Sequence, residues 1–135
     1  MAVFRILLIL LNAFLAVTSV AGGIGLLTGA IATPLELLQG SPFFFFDDYT
    51  IPSLALLVIV GGSALAAVVL LLRRQRSAAL ASGLAGVMIM GFEVVEVLVI
   101  GSEPGVARNL QIFYFALGAL ILLLAIASWV AAHRA

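Results

Sequence analysis

Apolar residues dominate four long stretches of this chain, at about residues 3–32, 51–72, 78–101 and 108–132. A bilayer core of about 30 Å takes roughly 20 apolar residues in helical form, so each stretch is long enough to cross. In lipid the backbone groups must be satisfied within the segment, which excludes an open strand. The pattern predicts an all-α, four-helix transmembrane bundle with an external interfacial segment at residues 33–50. The first stretch is longer than needed and is expected to tilt or to lie partly in the interface. Pro52 falls in the first turn of the second, where a missing N–H costs nothing. Arg5 and the small residues Ser19-Val20-Ala21 mimic a cleaved leader, but the apolar run continues past Ala21, so a retained span is expected.

Composition agrees with a membrane solvent. Of 135 residues, 65% are hydrophobic and 9% charged, with no cysteine, and the mean hydropathy is +1.37. A soluble domain of this size could not hide that much apolar surface. Without cysteine there is no disulfide scaffold, thiolate metal site or CxxC redox pair, which excludes the four-helix oxidoreductases that depend on one. The single histidine, His133, lies at the far end of the last stretch. That argues against a histidine-held haem or zinc within the membrane and against a Ser-His-Asp set. No cofactor is implied.

Charge adds an orientation. Arg5, Arg73, Arg74, Arg76 and Arg134 flank one side of the predicted bundle and Arg108 alone the other. By the positive-inside rule both termini and the Arg73–Arg76 turn are cytoplasmic, in an inner membrane. Glu36, Asp47, Asp48 and Glu103 then fall outside. The net charge of zero gives no support for a nucleic-acid partner. The short basic turn makes the second and third stretches a tight antiparallel hairpin. Its arginines serve as a topology signal or contact anionic headgroups. Trp129 suits an aromatic belt at the same side.

Two features carry candidate chemistry. In the external segment, Thr33-Pro34-Leu35-Glu36 reads as a helix start with a capping box. It is followed by Phe43, Phe44, Phe45, Phe46, Asp47 and Asp48. This run fits an interfacial anchor, or else an external lid or a docking surface for another subunit. Asp47-Asp48 lacks the alternating ligands of a calcium loop.

The second feature is Glu93 and Glu96, three residues apart on one face of the third stretch. Each carboxylate in hydrocarbon costs roughly 2.5–3.5 kcal/mol on insertion scales. From a rise of about 1.5 Å per residue, Glu96 lies about 7.5 Å and Glu93 about 12 Å below the outer helix end. Three roles fit. A structural pair would accept hydrogen bonds from Asn109, Gln111 or Tyr114, or pair with Arg108. A proton or cation site would use two carboxylates that cannot both ionise cheaply and titrate together. A ligand cavity beneath the phenylalanine run would hold a cationic or hydroxylated amphiphile. A glycosidase pair would need a polar sugar cleft, and a di-iron bundle a Glu-x-x-His, and neither is present.

Small residues at helical spacing mark packing faces: Gly22, Gly25 and Gly29 in the first stretch, Gly61, Gly62, Ser63 and Ala66 in the second, Ala79, Ser82, Gly83 and Gly86 in the third, and Gly118 in the fourth. The same faces would also serve oligomerisation. In its length, its glycine cluster Gly22-Gly23-Ile24-Gly25 and its basic hairpin Arg73–Arg76, the chain resembles small bacterial inner-membrane proteins of the DoxX-like group. The resemblance spans the whole chain and implies four spans and a tie to redox-linked complexes. It assigns no functional residue. Small multidrug transporters carry a membrane glutamate in the first span, where this chain has no acid. The expected function is therefore non-enzymatic: a subunit or ligand-binding accessory of a membrane assembly. A small oligomeric transporter or channel using the glutamate pair is the alternative.

Overall fold

The computed structural model describes residues 2–28, 50–102 and 104–134. They form four helices and, among the described residues, no strand: α1 (Ala2–Thr28), α2 (Thr50–Leu72), α3 (Ala78–Ile100) and α4 (Val106–Arg134). All four are long and apolar enough to cross a membrane. The predicted capping box and the run from Phe43 to Asp48 lie outside the described residues. The helices run up and down as a four-helix bundle. Each packs on its chain neighbours and α4 closes back on α1, while α2 and α4 do not meet.

Burial follows the helical period. On α3 the inward positions are Ala78, Ser82, Ala85, Ile89 and Glu93, and on α4 they are Gln111, Leu117, Ile121 and Ala125. Spacings of three and four keep one stripe turned to the bundle and leave the other side chains to lipid. The exposed residues are accordingly large and apolar, such as Leu80, Val94, Leu98, Ile112 and Leu123.

In lipid, close backbone approach replaces the hydrophobic effect as a main source of helix association. The α3–α4 contact shows this at Gly86 and Gly118. A Cβ on Gly86 would stand 2.6 Å from the Gly118 carbonyl oxygen, and one on Gly118 would stand 2.6 Å from Ile89 Cγ2. On α1 the close approach is at Gly23, whose added Cβ would meet Leu57 Cβ at 2.8 Å and the Ser53 carbonyl oxygen at 2.9 Å. Of the other glycines expected to pack on this helix, Gly22 would bring a Cβ to 3.2 Å of Leu56 Cδ2, Gly25 is buried, and Gly29 lies outside the described residues. Gly62 faces open space, so it is no packing glycine. Opposite Gly23, α2 widens into a π-helical stretch at Ala55–Val60. Ser53 before this stretch and Val60 at its end are both buried.

Polar ties hold the basic end. Arg5 donates through Nε to the Leu71 carbonyl at 2.9 Å, capping α2 where the helix dipole is negative. The arginine that signals topology in the sequence thus also clamps α1 to α2. One helical stage further in, Asn12 is fully buried. Its Nδ2 donates to the Leu8 carbonyl at 2.9 Å and to Ser82 Oγ at 3.3 Å, joining α1 to α3.

Two outcomes test this packing. Gly86→Val is expected to lower the unfolding free energy by about 1–3 kcal/mol through overpacking, with Gly62→Ala close to neutral, as read by thermal unfolding in detergent. A double-mutant cycle of Asn12→Ala and Ser82→Ala is expected to give a coupling of about 0.6 kcal/mol, the usual worth of a hydrogen bond between membrane helices.

Candidate functional site

Glu93 and Gln111 are placed by the Gly86–Gly118 crossing. Glu93 lies seven residues beyond Gly86 on α3, and Gln111 seven residues before Gly118 on antiparallel α4. Seven residues are nearly two turns, so both side chains return to the shared face roughly 10 Å beyond the crossing. Both are buried, at 7% and 6% exposure. Glu96 is half-buried one turn further on, and its carboxyl lies beside that of Glu93.

Gln111 organises the end of the hairpin. Its Nε2 donates to Glu96 Oε2 at 3.0 Å and to the Gly101 carbonyl at 3.1 Å. The second bond reaches past the end of α3, where Gly101 turns the chain with φ +79°, a left-handed conformation that a side chain would strain. Gly105, at φ +105°, turns it again into α4. Of the four α4 residues singled out from sequence, Gln111 is the one that bonds to the glutamate pair among the described residues.

The remaining three are placed differently. Arg108 is exposed and turns to the connecting segment, donating from Nη2 to the Ser102 carbonyl at 2.6 Å and from Nε to Ser102 Oγ at 3.3 Å. It therefore does not reach Glu96, because a shorter path to an unsatisfied carbonyl lies nearer its own end of α4. Asn109 is exposed, with its backbone N–H bonded to the Gly105 carbonyl. Tyr114 is half-buried and packs edge-on to Phe113 at 5.1 Å.

Between α3 and α4 at this height lies a cavity of about 440 Å³. Its polar wall is Glu93, Gln111 and Ser102, and its apolar wall includes Val94, Leu98 and Phe115. Val94, Leu98 and Phe115 are also exposed on the outside of the bundle, so the cavity opens sideways toward hydrocarbon. Glu93 Oε2 and Gln111 Oε1 are buried and have no hydrogen-bond partner among the described residues. Each such buried acceptor costs about 1–3 kcal/mol. Among the described residues no three acids or histidines come together to hold a metal ion.

Pattern reading misses Asn12, although a lone amide within an apolar span is a signal of the same kind as the acids. It belongs to a separate polar cluster. Ser82 and Glu93 are eleven residues apart on α3, roughly 16 Å, with Ala85 and Ile89 fully buried between them.

The bonds of Gln111 make a direct prediction. Gln111→Leu is expected to cost about 1–3 kcal/mol, since it strips donors from the half-buried Glu96 carboxylate and from the Gly101 carbonyl. Arg108→Ala at the exposed rim is expected to stay within about 0.5 kcal/mol, with both read by unfolding in mixed detergent micelles.

No protein family, curated protein or solved structure matches the chain, and the site's chemistry is read from its own atoms.

Proposed function

We propose that this chain is a small non-enzymatic membrane protein that binds an amphiphile between α3 and α4, as an accessory or subunit of a larger membrane assembly. One observation carries the reading: two buried polar side chains, Glu93 and Gln111, line a cavity whose other side is apolar. Ligand sites have this make-up, a mostly apolar hollow with a few placed polar groups, at volumes of roughly 300–1,000 Å³. A lateral opening admits molecules dissolved in the bilayer. With the arginine-rich turn in the cytoplasm, the site stands in the outer half of an inner membrane. The described residues form little but the spans themselves, which favours work done with partners over an autonomous reaction.

The adjacency of the Glu93 and Glu96 carboxyls favours a second reading, a proton- or cation-coupled transporter. The separation of this site from Asn12–Ser82 by buried Ala85 and Ile89 weighs against a continuous path.

Native mass spectrometry of the protein, extracted gently from its own membrane, tests the first reading. A bound amphiphile in stoichiometric amount is expected, and Ala116→Trp, which fills the cavity wall, should remove it. A bare protein that carries protons into liposomes, and stops doing so with both glutamates changed to glutamine, would establish the second reading instead.

A further inference from the structure

Three arginines crowd the turn between α2 and α3, and all three, Arg73, Arg74 and Arg76, are exposed. Among the described residues, the arginine side chains that make hydrogen bonds are those of Arg5 and Arg108. Nor does a described acid stand near enough to neutralise the turn. Helices α1, α2 and α4 contain none. The first on α3 is Glu93, fifteen residues beyond Ala78, or roughly 22 Å along the axis. Ser77 leads into α3 without a side-chain cap bond, and the first turn of that helix holds no acid.

A topology signal asks only for positive charge, in any backbone conformation. Arg74 stands in one that a side chain resists. Helix α2 ends in a Schellman turn, with the Gln75 N–H on the Leu70 carbonyl at 3.0 Å and the Arg74 N–H on the Leu71 carbonyl at 3.2 Å. The residue at the corner of such a turn is left-handed, here with φ +54°, and glycine is its usual occupant. Among the described residues Arg74 is the one non-glycine residue with positive φ, while Gly101 and Gly105 take that role at the other end of α3. Strain kept at an exposed arginine points to a use for its side chain.

The neighbours identify the partner. Leu72 and Leu80 flank the turn and are 58% and 67% exposed, so cations and apolar surface adjoin at this end. A guanidinium matches phosphate oxygens with paired N–H donors. Basic residues just beyond a span also attract lipids of net negative charge. We infer that the Arg73–Arg76 turn binds the phosphate head of an anionic lipid whose acyl chains lie on Leu72 and Leu80. The site stands at the opposite end of α3 from the cavity and is independent of the ligand proposed there.

Native mass spectrometry of the full chain in neutral detergent tests it, by titration with phosphatidylglycerol or with phosphatidylcholine of the same acyl chains. One phosphatidylglycerol per chain is expected to bind saturably, at least about tenfold tighter than phosphatidylcholine, since each basic residue adds to the attraction of a net negative head. Arg73→Gln, Arg74→Gln and Arg76→Gln together should abolish the preference, and Arg108→Gln at the other end should retain it. Arg74→Gly should relieve the strain, raising the unfolding temperature in neutral detergent, and lower the phosphatidylglycerol affinity about fivefold. The comparison of two heads on the wild-type chain stands even if a variant fails to fold. Equal affinity for the two lipids would overturn the inference. So would a preference that survives the triple change, is lost with Arg108→Gln, or is untouched by Arg74→Gly. Displacement of the lipid by an equal concentration of inorganic phosphate would make the ligand a free anion and overturn the lipid assignment.

Discussion

Gly86 and Gly118 cross so closely that neither tolerates a Cβ, and the site depends on that contact. Lipid tails are as apolar as leucine, so burying leucine gives two membrane helices little reason to associate. What holds α3 to α4 is backbone brought near backbone, and glycine alone permits it at this distance. Once the crossing is fixed, the helical rise fixes the heights of all other residues along both helices. Glu93 and Gln111, each seven residues away, come level across the interface. A larger residue at the crossing would spread the helices and separate the two.

The polar groups fall into three stations, each answering a local demand of the backbone or of a neighbouring side chain. Arg5 caps the carbonyls at the end of α2. Asn12 joins α1 to α3 through Ser82. Gln111 holds Glu96 and closes the turn at Gly101. The first satisfies groups that a helix end always leaves open, and the last satisfies the Gly101 carbonyl at its own turn. Acceptors remain without a partner among the described residues at the second station, on Asn12, and at the third, on Glu93 and on Gln111 itself. At the third station these groups stand beside an apolar hollow, and that pairing is what supports the proposed binding reading over a bracing one.

The four helices were legible from the chain, because a helix is the only economical way for twenty apolar residues to cross lipid. The two glutamates were conspicuous for the same reason, since charge in such a stretch demands an explanation. So was the importance of Gly86 and Gly118, from small-residue spacing. What sequence left open was which small residue of several makes the contact. Gly23 meets α2 at Ser53 and Leu57, while Gly62 meets nothing within 4 Å. A glycine looks the same on every face, and only the rotation of the helix about its axis, set by all its neighbours at once, selects among them.

The partner of the carboxylates was open for a related reason. Arg108, Asn109, Gln111 and Tyr114 all lie within two turns of α4, and the sequence does not choose among them. The tertiary structure chose the glutamine instead, because Gln111 lies on the buried stripe two turns from the crossing, while Arg108 points to the exposed turn and finds the Ser102 carbonyl first. The sequence by itself determined the medium, the four helices and the presence of acids that need partners, all of which follow from hydrophobicity and helical period. Only the tertiary structure decided which oxygens stay unpartnered and that Glu93 and Gln111 line one cavity, because those depend on the angle and distance at which α3 meets α4.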